Sequence, residues 1–242
     1  MADKEIKRKE RITTGIAGFD KATKGGIIRG SINLITGGPG TGKTIFASHF
    51  LWEGIVKYDE NVLFISLEEE VDALRKDLSS TGMDFEKMHN EGKCHFVYFG
   101  PYSSSDLQAK LTREITRVNA KRVVIDSISV FAMALKNDYE IRKEIYLLTN
   151  LLKKLDCTVI MTSEIVGQVP LDISTGGSLS RYGVEEFVCD SVITVHNSGL
   201  GGPVDRALRI VKMRRTNHVK GPVPMKITDH GMEVNLPKNA KF

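Results

Sequence analysis

The chain has 242 residues, 41% of them apolar and 26% charged, with a formal net charge of +4. That length can bury one large core or two small ones, and the charge fraction is ordinary for a globular domain. No apolar run approaches the ~20 residues of a helical membrane span, which argues against a membrane protein.

The N-terminus, MADKEIKRKER, is charged and lacks the apolar stretch of a secretory signal. Residues 1–10 are expected to be a flexible charged tail, 11–236 one domain, and 237–242 a short polar tail. Cys94, Cys157 and Cys189 are odd in number and lie in or beside apolar runs. Buried free thiols in a reducing compartment follow, so the expected location is the cytoplasm.

Short β-branched runs alternate with helical patterns: SINLITG, NVLFISLEE, CHFVYF, KRVVIDS and CTVIMTS. DLQAKLTREITRVN and EIRKEIYLLTNLLKKL are amphipathic at helical spacing, the second with Ile141, Ile145, Leu148 and Leu152 along one stripe. Apolar strands alternating with helices predict an α/β fold, a parallel sheet covered on both faces. After Val188 the pattern changes to SVITVHN, ALRIVKMR and MKITDHGMEVN without helices. These three predict an antiparallel extension of the same sheet.

The first run leads into Gly37, Gly38, Pro39, Gly40, Thr41, Gly42, Lys43 and Thr44, which match the phosphate-binding pattern G-x-x-x-x-G-K-T with a strand before and a helix after. Backbone N–H groups freed by glycine can wrap a β-phosphate, and the helix N-terminus adds its dipole. Lys43 is expected to reach the β- and γ-phosphates, and Thr44 to ligate Mg2+. Asp126 ends a strand at the edge where such loops gather, which suits a second Mg2+ contact. Glu68, Glu69 and Glu70 follow another strand at that edge. Three acids beside a triphosphate make sense if one orients water and another supports the metal. They also suit the first turn of a helix, which Glu70 fits best. Thr162 and Ser163 end a fourth strand there, either sensing phosphate or capping.

From Arg206 to Lys226 there are seven Lys/Arg and no Asp/Glu; removing those seven from the 34 leaves 27 against 30 acids. The basic character is therefore local. Residues two apart in a strand share a face, so Lys212 and Arg214 should point together and Arg215 away.

This order of motifs resembles the RecA-type P-loop ATPase core. The stretches TTGIAGFDKATKGGIIRGSINLITGGPGTGKT, FISLEEE, RYGVEEFVCD and VKMRRTNHVKGPVPMKITDHG narrow it further. From about Thr13 to Val234 the chain is similar to one repeat of the KaiC family, and closer to its ATPase-type first repeat. The resemblance implies a slow, Mg2+-dependent ATPase in homohexameric rings, acting as a regulator with a protein partner still to be identified. ATP would be held between neighbours, with Glu68 and Glu69 as the catalytic pair. Gly40 to Ile45 and Ser80 would act in cis. By position, Lys212, Met213, Arg214, Thr216, His218, Lys220, Thr228 and Asp229 would reach the neighbour's ATP. A Lys/Arg pair on a γ-phosphate can be worth ~10³–10⁵ in rate. Phe187 and Val188 stand where the family's second repeat is autophosphorylated, which argues against autokinase activity of that kind, with Ser178 and Ser180 nearby as other acceptors.

DNA binding is the rival reading, since RecA-type relatives grip DNA with loops after these strands. Here Ser127–Glu140 holds one cation, Lys136, and Glu164–Ser180 holds none, which disfavours a phosphate-tracking channel. Phe131 and Tyr139 could stack on bases but are expected to pack. A third reading is a nucleotide-binding scaffold with negligible turnover.

Overall fold

In a computed structural model of the chain, residues 10–100, 104–130, 135, 137–165, 179–199 and 205–242 are described. A nine-stranded sheet dominates them. Its parallel part uses β3 (Ile32–Gly37), β4 (Val62–Ser66), β5 (Cys94–Tyr98), β6 (Arg122–Asp126), β7 (Thr158–Glu164) and β8 (Ser191–Asn197). β9 (Arg206–Met213), β10 (Pro222–Thr228) and β11 (Gly231–Val234) complete the order β11-β10-β9-β8-β3-β7-β6-β4-β5. A separate pair, β1 (Arg11–Ile12) and β2 (Ile27–Ile28), flanks α1 (Ala17–Ala22).

Strand alternation divides the core into two layers. Ile35, Phe64, Val124 and Ile160 face α2 (Lys43–Tyr58), α3 (Val71–Ser79) and α4 (Phe85–Asn90). Leu34, Leu63, Val123, Ile125 and Met161 face α5 (Ser104–Arg117) and α6 (Asp138–Leu152). The predicted stripe of α6 is buried, with Ile141, Ile145, Leu148 and Leu152 all inside. Tyr139 lies off that stripe and is 75% exposed, so it does not pack as expected; Phe131 lies outside the described residues. All three cysteines are buried and free, and burial pushes the Cys157 thiol up to about 12.

The antiparallel extension begins one strand later than the pattern predicts, because β8 runs parallel to β3. The reason is where the chain re-enters. α7 (Glu185–Val188) ends at the N-terminal edge of the sheet. There Asp190 donates its N–H to the Ile32 carbonyl and accepts the Ile32 N–H at 3.1 Å. β8 starts beside the start of β3, and only β9 turns back.

Arg122, the second residue of KRVVIDS, is fully buried at the first position of β6. Its Nε donates to Glu60 at 2.6 Å, and its Nη1 to the carbonyls of Thr13 and Phe50 at 2.8 and 2.9 Å. The guanidinium also lies 4.8 Å from the Phe50 ring centroid and 4.7 Å from that of Tyr58. Gly54 leaves it room, for a Cβ there would stand 2.6 Å from Arg122 Cδ. Glu60 takes a second cation, Arg29, at 2.7 Å, and Arg29 reaches the exposed Glu10.

A buried pair broken on one side leaves the other charge uncompensated, at a cost of about 3–5 kcal/mol. Glu60→Ala is therefore expected to lose about that much in urea unfolding. Glu10→Ala, at the exposed end, should change stability by less than about 1 kcal/mol.

Candidate nucleotide site

β3 ends at Gly37 and α2 begins at Lys43, so the glycine-rich loop occupies the C-terminal edge of the sheet. Lys43 Nζ donates to the Gly37 and Gly38 carbonyls at 3.1 and 3.0 Å. Thr41 Oγ1 closes the loop onto Gly38 O at 2.8 Å, and Arg206 Nη1 holds Gly40 O at 2.7 Å. Burial lowers the Lys43 pKa, against the opposing pull of Glu164, Asp126 and Glu68.

Asp126 joins three elements. Thr44 Oγ1 at the start of α2 donates to its Oδ2 at 2.7 Å, and Thr162 Oγ1 on β7 donates to its Oδ1. Thr162 thus does not cap; its hydroxyl is given to the Asp126 carboxylate and orients it. A hydroxyl and a carboxylate 2.7 Å apart are hard oxygen donors of the kind Mg2+ takes, with water and phosphate oxygens completing its shell. Thr44 and Asp126 therefore fit the metal that the motif implies.

The three acids after β4 differ. Glu68 accepts from Ser127 Oγ at 2.5 Å, beside Asp126. Burial raises its pKa first, and the charges of Glu164 and Asp126 add to that; the Ser127 bond and Lys43 oppose. Glu69 exchanges bonds with Ser66 Oγ through its backbone, and its exposed carboxylate has no partner among the described residues. Glu70 takes the N-cap position of α3 without a side-chain capping bond.

Lys212 and Arg214 do converge. Lys212 Nζ donates to the carbonyls of Glu186 and Cys189 at 3.0 and 2.9 Å. Arg214 donates to Phe187 O at 3.3 Å and lies 3.5 Å from Asp190. Both therefore sit at the end of α7, on the sheet edge opposite the glycine-rich loop. Met213 pairs with Ser191 there. Beside them Phe187 is 70% exposed. Arg215 does not oppose them as a strand residue. β9 has ended, and Arg215 occupies a left-handed turn position at φ 57.

Thr216 accepts from Arg11 at 2.7 Å. His218 is buried, with Nδ1 2.9 Å from Val219 O, and burial lowers its pKa. Lys220 is exposed, and its N–H holds the Lys241 carbonyl at 2.8 Å, so the last residues are docked. Thr228 and Asp229 lie elsewhere, in the turn between β10 and β11, on the same side as the chain's own loop. Ile227 Cδ1 is 2.9 Å from where a Cβ of Gly42 would stand, and Asp229 O is 3.7 Å from that of Gly82. Ser80, just before Gly82, is exposed and bonds Asp77 O at 2.6 Å. Pro39 and Ile45 lie in and just after the loop, neither fully buried. Ser180 is buried against Glu185 at 2.6 Å, a poor position for an acceptor; Ser178 lies outside the described residues.

A strand–loop–helix turn with a threonine bonded to a strand-end aspartate defines a P-loop domain, here on a RecA-like sheet. The KaiC ATPase family model matches residues 12–239, and the chain belongs to that family. It is 36% identical to the circadian clock protein KaiC3 of Synechocystis, covering 99% of this chain and 48% of that protein. It is 34% identical to the circadian clock oscillator protein KaiC of Synechococcus elongatus, covering 93% and 44%. The chain thus spans about half the length of these curated relatives. A KaiC-like protein of the hyperthermophilic archaeon Pyrococcus horikoshii superposes with a TM-score of 0.82 at 36% identity, covering 94% of this chain and all of that one. No described helix is long and apolar enough to cross a membrane.

Thr162→Val removes one of the two hydroxyls on Asp126. A hydrogen bond to a charged group contributes about 1.5–3 kcal/mol. A loss of that order is expected in urea unfolding without nucleotide, with Thr162→Ser retaining most of the stability.

Proposed function

We propose that the chain is a Mg2+-dependent ATPase that turns over slowly in a homo-oligomeric ring, a hexamer, with ATP between neighbouring copies. One observation carries the reading. Lys43, Thr44, Asp126 and Glu68 gather at one sheet edge, while Lys212 and Arg214 gather at the opposite edge. The second pair is too far round the sheet to serve the first group in its own chain, so each half suits a site shared by two copies.

In this scheme the loop N–H groups and Lys43 bind the phosphates. Lys43 first leaves the Gly37 and Gly38 carbonyls. Thr44 and Asp126 hold Mg2+, which neutralises phosphate charge when bound. Glu68 orients the attacking water and takes its proton, and Ser127 fixes the carboxylate for that task. Glu69 supports the metal side from outside. The neighbour's Lys212, Met213, Arg214, Thr216, His218 and Lys220 complete the phosphate end, and Thr228 and Asp229 serve the chain's own nucleotide with Ser80. The ring would act as a regulator or switch, on a protein partner recognised outside the site. Autokinase activity is disfavoured by Phe187 and Val188.

Lys43→Ala should abolish nucleotide binding. Glu68→Gln should keep binding and lose about 10²–10⁴ in rate, and Glu69→Gln should lose less. Lys212→Ala/Arg214→Ala and Glu68→Gln/Glu69→Gln chains should each be inactive, and mixed rings should regain activity. No recovery, with mixing confirmed, would sink the shared site. Hydrolysis no greater than that of Lys43→Ala would favour a nucleotide-binding scaffold instead.

A base with a raised pKa gives up its proton acceptance at higher pH than an ordinary glutamate. The acid limb of the rate profile is therefore expected above the usual carboxylate range. Ser127→Ala removes the bond that lowers the Glu68 pKa and should move that limb further up, as read from initial rates against pH.

One observation favours a second reading. Tyr139 and Tyr146 are 75% and 56% exposed on α6, with Arg142 and Lys143 also exposed between them. Aromatics beside cations suit single-stranded nucleic acid. Acceleration of hydrolysis by single-stranded DNA, lost at higher salt and in Tyr139→Ala, would support a DNA-linked ATPase.

A further inference from the structure

The helix that starts at the P-loop carries a histidine that the scheme above does not use. His49, in the second turn of α2, has its Nε2 2.7 Å from the backbone nitrogen of Met232 on β11. A backbone N–H can only donate, so Nε2 accepts and carries no proton. The facing backbone is shaped for this approach. Gly231 stands at φ 90, and a Cβ there would lie 2.1 Å from Nε2. No side chain other than glycine's leaves the ring this place.

The bond spans 183 residues of sequence and joins two parts of the nucleotide site. On one side is the P-loop helix. On the other is the β10–β11 hairpin, whose Ile227 and Met232 side chains both stand against Gly42 at the start of that helix. The turn of the hairpin carries Thr228 and Asp229 and lies along the Gly82 segment.

We propose that His49 is a positioning residue whose unprotonated Nε2 hooks the hairpin onto the P-loop helix, so that nucleotide affinity falls when the ring is protonated. The proposal rests on the nucleotide site assigned above. It needs no covalent step. Protonation puts an N–H on Nε2, facing the N–H of Met232; two donors then oppose each other, and the hairpin loses its hold beside Gly42.

The charges around the ring favour the neutral form. Burial lowers the His49 pKa, and Glu53, one turn further along α2, is the charged group that opposes this. Glu53 is itself engaged by Thr13 Oγ1 at 2.6 Å and Lys57 Nζ at 3.0 Å. β11 presents backbone and Met232 to the ring, and the β1–α1 segment presents Gly15 against the His49 carbonyl. The folded hook is thus complete above the ordinary histidine range near pH 6.5 and is lost as pH falls below it toward the lowered folded value.

His49→Gln offers an acceptor oxygen that does not titrate in this range, and His49→Leu offers none. ATP affinity of the full chain is measured by calorimetry at about pH 7.5 and about pH 5.5. Wild type is expected to weaken about fivefold or more on acidification, the scale of one lost hydrogen bond. His49→Gln should weaken distinctly less, and His49→Leu should already be weak at the higher pH. Amide exchange of Met232, compared between variants at one pH, reads the hook without nucleotide. It should be slow in wild type and His49→Gln, and fast in His49→Leu. An acid loss in His49→Gln equal to that of wild type, or Met232 protection unchanged in His49→Leu, overturns the proposal. Wild type that binds no ATP at the higher pH would overturn the nucleotide reading instead, while Met232 exchange still judges the hook. If His49→Leu does not fold, wild type against His49→Gln decides the matter alone.

Discussion

The burial of the Arg122 guanidinium is the constraint on which the rest of this molecule depends. A fully buried cation is tolerable only with its charge met and most of its donors used. Glu60 in the loop after α2 meets the charge, and the carbonyls of Phe50 on α2 and of Thr13 just after β1 take Nη1. The Phe50 and Tyr58 rings cover the group, with Nη2 left without a hydrogen-bond partner among the described residues. The small N-terminal unit is thereby tied to the main sheet. The same five-residue strand that begins with Arg122 ends with Asp126. Its lower end is fixed by an ion pair, and its upper end is presented to Thr44 and Thr162. A strand so short has little freedom once both ends are set.

That arrangement accounts for how the site divides its labour. Carboxylates crowd one edge, and each has a different counterweight. Asp126 is met by hydroxyls, Glu68 by Ser127, and Glu164 by the field of Lys43. Burial raises the Glu68 pKa, and the like charges of Glu164 and Asp126 add to that. The two adjacent glutamates have unlike partners, Glu68 bonding Ser127 by its side chain and Glu69 being gripped by Ser66 through its N–H and C=O.

Much of this was legible from residue pattern. Glycine spacing, the apolar strands and the α6 stripe are local signals, and the sheet and P-loop follow from them. The direction of β8 was not legible, since it depends on where α7 ends. The burial of Arg122 was not legible either, because its partners come from three distant segments. Thr162 could be placed at the right edge but not assigned a partner, since hydroxyl direction is set by the neighbouring strand. His49 gives no signal at all: its partner is a backbone N–H, which every residue but proline has. The place of the turn at Thr228 and Asp229 was not legible, because position in a motif does not say that the hairpin folds back beside Gly42 and Gly82.

β9 joins the two ends of this story. Arg206 at its start holds the P-loop carbonyl of Gly40, and Lys212 near its finish rests on the α7 carbonyls at the far edge. At about 3.3 Å per residue, its eight residues span roughly 25 Å as one hydrogen-bonded rod. If copies join head to tail, every rod points the same way around the circle. A disturbance at one P-loop would then be passed to one neighbour and not the other, and the assembly would have a sense of circulation built into a single strand.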